Sequence, residues 1–534
     1  MRGLRYLIVM FLLASSMMVG MSSCDYTLAR NPKVLVEKIA MDPTTLNPFM
    51  VREMSSHIIT YYLFDSLLEY DDETLELEPG LAKRWEVSPD HLSYTFWIEE
   101  GATWHDGKPL TIDDVIFTFE AAQDKRVDAA TIRNYFKDFV KVERVGENAA
   151  RFFFSKPYFK AESVIGLVKI LPKHIFKDLD TFNTNPANMN PVGSGPFKFV
   201  KWSRGERVEL ARNDNYFGKK PGVEGLAFRI IPNKVTAFQL LKKGAIDKAK
   251  ISLTQTMYQT DDPAFKDKFT KHEFYPPNNT LLGWNSKRAL FSDRRVRVAM
   301  SMLIDRKKIL DKLFYGKGEV ITGPFYRFGL NYDERIKPYP YDPEGAIKLL
   351  EEAGWVDIDG DGVREKDGVP FKFSVLFRSG EKFSRTVTSY LREELARVGI
   401  EMELMQMEWG AMIGRLINRD FDAISLGFSI PLVEDPYTSW HSSQLGKGIN
   451  YFGFDNAHAD ELLEKARGEF DSKKRAAIYG EFQKILHYEQ PCTYLYVLSD
   501  NMAIARRFKN VIDYKIGPNI EDWKVGPWPI LKEW

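Results

Sequence analysis

A chain of 534 residues is too long to close around one hydrophobic core, because cores stop growing at roughly 250–300 residues and longer chains divide into domains. Two or three domains are therefore expected. Hydrophobic residues at 44% and charged residues at 28% are those of an ordinary globular protein, not a disordered or fibrous one. Lys and Arg total 74 and so do Asp and Glu. Nothing in that balance suggests a nucleic-acid surface, which would demand a basic excess.

The first residues have a different character. Arg2 and Arg5 precede an almost wholly apolar run from Tyr6 to Val19, followed by Met21-Ser22-Ser23-Cys24. The run is too short to span a bilayer comfortably and reads as the apolar region of a signal peptide over residues 1–23. Cys24 stands where a lipobox would place the lipidated residue, with Met21 in place of the usual Leu. Diacylation there would anchor the chain stably, and residues 24–33 form a linker. Asp25 resembles the inner-membrane retention signal of enteric-type bacteria. No later stretch approaches about 18 uninterrupted apolar residues. With Cys24 lipidated, Cys492 has no partner, so no intramolecular disulfide forms; it reads as a small buried hydrophobe in the strand-like run after Pro491.

Periodicity gives a β-richer first half and an α/β second half. Strands are expected at Val34 to Ile39, Ser93 to Ile98, Asn148 to Ser155 and Phe197 to Val200. Thr111-Ile112-Asp113-Asp114 is a capping box that opens a helix to about Gln123. Later, Asp342-Pro343 starts a helix closed by Gly354. Strands at 371–377, 400–407 and 421–428 alternate with helices, which is the pattern of an α/β lobe. Two helices follow at 457–467 and 473–487. The last forty residues return to strand-like, Pro/Gly-rich sequence, suggesting an end in the territory of the first half.

The signatures of catalysis and cofactors are missing. The 8 histidines form no H-x-H or H-E-x-x-H pair. Gly193-Ser194-Gly195 lacks nucleophile-elbow spacing, and there is no phosphate loop. Asp357, Asp359, Asp361 and Gly362 fit positions 1, 3, 5 and 6 of an EF-hand loop. Gly368 stands where the bidentate Glu is required, so the segment reads as a polar turn. No metal, no cofactor and no enzymatic activity are expected.

Several sequence blocks carry a resemblance. They are Leu81-Ala82-Lys83-Arg84-Trp85-Glu86-Val87-Ser88-Pro89-Asp90 with Tyr94-Thr95-Phe96, then Trp104-His105-Asp106-Gly107-Lys108-Pro109-Leu110-Thr111. Further along stand Gly193-Ser194-Gly195-Pro196-Phe197, Arg212-Asn213-Asp214-Asn215-Tyr216-Phe217, Gly244-Ala245-Ile246-Asp247, Asp293 to Arg306, Ala353-Gly354-Trp355 and Trp440-His441-Ser442-Ser443. Taken in order, they resemble the family 5 extracellular solute-binding proteins, the oligopeptide, dipeptide and nickel receptors of ABC importers. The resemblance implies a two-lobed, Venus-flytrap α/β fold with mixed sheets in three domains. Domain I would comprise 34–70, 190–275 and 501–534, domain II 71–189, and domain III 276–500, with hinge crossings near Tyr275 and Asp500. It further implies a monomeric receptor, lipid-anchored in the cell envelope on the outer face of the cytoplasmic membrane. Such a receptor closes on a small solute, a peptide in the first reading, and hands it to the permease subunits.

The same resemblance suggests ligand-binding residues. In the first lobe these are Arg52, Glu53, Met54 and Ser55; in the second they are Ser425, Gly427, Phe428 and Ser429, with Trp409 and Tyr496 beside them. One departure stands out. Peptide receptors of this family carry an Asp just after the second-lobe strand, where it pairs with the ligand's ammonium. Here the stretch is Ile430-Pro431-Leu432-Val433-Glu434-Asp435-Pro436, with Pro431 or Leu432 in that place. A buried ammonium without a partner costs several kcal/mol. Either Glu434 or Asp435 replaces the missing acid, or the ligand has no free N-terminus. Nickel chelates, oligosaccharides and opines are the alternative solutes; an envelope sensor or chaperone-like protein is the alternative role.

Overall fold

The computed structural model describes residues 31–526 apart from Glu381 and Lys447. The leader, Cys24 and Asp25 lie outside the described residues. Three large sheets organise a mixed α/β molecule. The first has seven strands in the spatial order Phe269–Phe274, Asp500–Ala505, Lys248–Ile251, Val34–Ile39, Gly225–Ile230, Arg207–Arg212 and Phe197–Ser203. The second is an antiparallel sheet of Ala82–Val87, Ser93–Ile98, Ala149–Phe154 and Phe139–Val145. The third has six strands ordered Gly318–Val320, Cys492–Leu498, Asn278–Trp284, Ala423–Ser429, Lys372–Arg378 and Glu401–Met407.

Packing sorts these sheets into two lobes. Leu35 and Phe228 of the seven-stranded sheet share one continuous core with Phe96 and Phe152 of the four-stranded sheet. Those two sheets therefore form one lobe. The six-stranded sheet is covered on both faces instead: Trp284, Phe373 and Val375 enter one core, Leu281, Leu376 and Ile424 another. Successive strand residues point to opposite faces, so a sheet clad on both sides needs apolar side chains at every position. That is why the strand Lys372–Arg378 reads Val375-Leu376-Phe377 without alternation and buries all three. Among the described residues no helix is long and apolar enough to cross a membrane.

Two of the sequence blocks meet inside the first lobe. The His105 backbone N–H donates to the Gly193 carbonyl at 2.8 Å, and His105 Nδ1 accepts from the Gly193 N–H at 3.1 Å. Nδ1 is thus the acceptor, which leaves Nε2 to donate to the Gly195 carbonyl at 3.0 Å. Burial holds the imidazole neutral, with its pKa lowered to about 4. A side chain at Gly193 would stand 1.8 Å from the Leu63 carbonyl oxygen. The glycine is therefore required by close approach of two backbones, not by a turn.

The chain leaves the first lobe through residues 275–277 and re-enters it at Ser499, between Cys492–Leu498 and Asp500–Ala505. The return is fixed by Arg507, whose guanidinium donates to Asp247 Oδ2 at 2.7 Å and to the Val34 carbonyl at 2.9 Å. Asp247 Oδ2 also accepts from the Val36 N–H at 2.8 Å. Both side chains are 3% exposed. Removing one member of a buried pair strands the other charge, so Arg507→Met should cost about 3–5 kcal/mol in urea unfolding. Gly193→Ala should cost about 1–3 kcal/mol by forcing apart the Leu63 and Gly193 backbones. A silent Gly193→Ala melt would contradict that close approach.

Candidate functional site

The strand Ala423–Ser429 is held on both sides, antiparallel to Asn278–Trp284 and parallel to Lys372–Arg378. Its C-terminal end delivers the segment 430–436 into the space between the lobes. Pro431 stands at the meeting point of three cavities, of about 820, 310 and 290 Å³. The largest lies within the usual size range of small-ligand sites. Its walls come from both lobes: Trp85, His91 and Glu162 on one side, Phe325, Glu434 and Arg475 on the other. Glu162 is half-buried, and the desolvation raises its carboxyl pKa; it accepts a hydrogen bond from Trp85 Nε1.

Glu434 borders both the 820 Å³ and the 290 Å³ cavities. Its Oε2 is buried and has no hydrogen-bond partner among the described residues. Burial pushes the carboxyl up to about 8; the nearby Lys160 ammonium opposes the shift and Asp435 adds to it. The 290 Å³ cavity presents a second buried acceptor without a partner, Asn279 Oδ1. Two unsatisfied acceptors at one cavity are suited to a ligand group rich in N–H donors.

Asp435 has a different role from its neighbour. It accepts from Tyr158 Oη at 3.0 Å and forms an ion pair with Arg467 Nε at 3.0 Å, and its side chain is 6% exposed. The Arg467 guanidinium lies over the rings of Tyr158 and Tyr437, at 4.9 and 4.4 Å. It sits at the last residue of the helix Ala457–Arg467, where the helix dipole favours a cation. Tyr158 belongs to the first lobe, so Asp435 and Arg467 clasp the lobes together. The Phe159 N–H donates to the Arg467 carbonyl at 3.1 Å, and the His91 ring stacks on Phe470 at 3.5 Å.

Comparison with known proteins decides what this arrangement is. Residues 76–451 match the model of the bacterial extracellular solute-binding proteins, family 5 Middle. The chain belongs to this family. The oligopeptide-binding protein AppA of Bacillus subtilis (strain 168) is 31% identical over 503 residues, covering 92% of this chain and 90% of AppA. The structure of AppA in complex with a nonapeptide superposes with a TM-score of 0.76 at 30% identity, covering 92% of this chain and 99% of that one. NikZ from Campylobacter jejuni, solved in complex with Ni(L-His), gives a TM-score of 0.78 at 25% identity, covering 93% and 100%. The two-lobed α/β architecture is thus that of family 5.

Within this family 5 frame, the residues singled out from sequence are dispersed. Phe428, Ser429, Glu434 and Asp435 line the 290 Å³ cavity. Arg52, Glu53, Met54 and Ser55 line none of the three cavities. Arg52 pairs with Asp128 at 2.6 Å, Glu53 caps the helix Met54–Leu63, Met54 is exposed, and Ser55 is buried against Met41. Ser425 and Gly427 lie along the strand behind the cavities, and Trp409 is half-exposed under the Arg378 guanidinium. Tyr496 is buried against Phe314 at 5.0 Å. Sequence reasoning missed Tyr158, Lys160, Arg467 and Asn279. No local pattern marks them, because each gains its role from residues far away in the chain.

Glu434 makes a testable electrostatic demand. Its folded pKa of about 8 lies above the ordinary value of 4.5, so the folded state keeps a proton that the unfolded chain releases. Stability is therefore lost as pH rises from about 4.5 to 8. Glu434→Gln should be more stable than the parent above pH 8, on the order of a few kcal/mol, and equal to it below pH 4. Urea titrations across this range check it; a difference independent of pH would contradict the assignment.

Proposed function

We propose that this chain is the extracytoplasmic receptor of an ABC importer that captures a peptide or peptide-like solute between its lobes and delivers it to the permease subunits. It acts as a monomer, anchored through lipid on Cys24 to the outer face of the cytoplasmic membrane, and returns its ligand unchanged. The domain I, II and III divisions expected from sequence supply its moving parts. Segments 275–277 and Ser499 are the hinges, and closure brings Tyr158 onto Asp435 and Arg467. Ligand contacts to both lobes select the closed form.

The observation that carries this reading is the unpartnered Glu434 carboxyl between two cavities. Asp435 is already committed to Tyr158 and Arg467, so Glu434 is the acid available to meet a peptide's α-ammonium, with Asn279 Oδ1 as a second acceptor. The structural relative that holds a nonapeptide supports a peptide as the solute.

An ammonium beside Glu434 stabilises the carboxylate, so binding should expel the proton that the empty site holds at neutral pH. Titration calorimetry at pH 7 in phosphate and in Tris should report release approaching one proton per peptide bound. Glu434→Gln should remove both the release and most of the affinity. N-terminally acetylated peptides should bind at least ten-fold more weakly. Binding of free-amine peptides with no buffer dependence would overturn the role of Glu434, and no binding by any peptide would overturn the peptide reading.

A further inference from the structure

We propose that the 310 Å³ cavity beside Pro431 is a specificity pocket that accepts one bulky apolar side chain of the ligand, aromatic or branched, and rejects basic ones. This rests on the peptide reading given above. The cavity opens beside the main cleft, with which it shares Ser163, Pro431 and Val433. Its walls are the first-lobe residues Phe49, Tyr61, Phe136, Val164 and Leu167, and its lid is Pro431 with Val433 from the second lobe. A side chain seated there touches both lobes and so favours the closed state.

The walls are built before any ligand arrives. Phe49 is buried and packs on the Phe182 ring at 6.2 Å. Phe136 is held between Phe119 at 5.5 Å and Phe139 at 5.3 Å. Val164 is fixed on the short helix Ala161–Gly166. A ligand side chain therefore gains burial without ordering its own pocket, which is where binding energy is otherwise lost.

Charge decides what the pocket refuses. Lys160, Lys169 and His57 reach its lining, and no Asp or Glu does. A Lys or Arg side chain entering would bring a cation beside two ammoniums with no carboxylate facing it. An acidic side chain gains less than this count suggests, because both lysines already serve carboxylates. Asp435 lies near Lys160, and Asp65, Glu69 and Glu521 lie near Lys169. The apolar walls therefore set the preference. The main cleft contrasts with it, since Glu76, Glu162 and Glu434 all border that cavity.

The test is competition binding to the mature chain by tetra-alanine and its single-residue variants, with Phe, Leu, Glu or Lys placed at each position in turn. At one position Phe and Leu should bind at least ~10-fold more tightly than Ala, from the burial of one large apolar side chain. Lys at the same position should bind at least ~10-fold more weakly than Ala. Val164→Trp, which fills the cavity, should bring the Phe-to-Ala affinity ratio at that position close to one, with thermal melting confirming that the variant folds. Should Val164→Trp not fold, Leu167→Trp, one turn along the same wall, gives the same ratio test. Peptides that bind with no such preference at any position, or a Glu peptide that outranks Phe, would overturn the pocket while leaving the receptor reading intact. Failure of every peptide to bind would overturn both.

Discussion

The buried pair of Arg507 and Asp247 fixes the place where the chain re-enters the first lobe. The chain spends 276–499 in the second lobe and must then return, and the returning strand Asp500–Ala505 fits between Phe269–Phe274 and Lys248–Ile251. Arg507 closes that return by donating to Asp247 and, across almost the whole sequence, to the Val34 carbonyl. An ion pair this deep gains little over an apolar substitute, but its geometry admits one register. Each of the two crossings emerges from a strand whose position in its sheet is fixed.

The segment 430–436 is where this fixed frame meets function. Two adjacent carboxylates end there in opposite electrostatic circumstances. Asp435 is paired with Arg467 and Tyr158; Glu434 is buried, unpartnered at Oε2 and shifted to about 8. One joins the lobes, and the other is held protonated at neutral pH by burial. A perturbed titratable group at a cleft is a candidate functional group.

Several regular elements were legible in the sequence to within a residue or two, whereas the central strand Asn278–Trp284 was not expected and the strand from Phe197 runs three residues past its expected end. Ser93–Ile98 and Ala457–Arg467 fall where alternation and helical periodicity put them. The Gly193 block was visible as punctuation, but its reason was not. It exists to let the Leu63 backbone approach, with His105 fixing both ends. The candidate site was legible only around 428–435, where an apolar strand runs into Pro and acidic residues. Tyr158 and Asp435 are 277 residues apart in sequence, and no spacing rule connects them.

Length required more than one core, composition showed no basic excess, and ordered blocks gave the family. The regular elements follow from the sequence alone because hydrophobic periodicity, capping and turn glycines act over a few residues. Tertiary structure alone decided which of two neighbouring acids is satisfied, and that a pocket with two lysines and no carboxylate lies beside Pro431. Both depend on desolvation and on partners brought in from the other lobe, and neither quantity exists until the chain has folded back on itself.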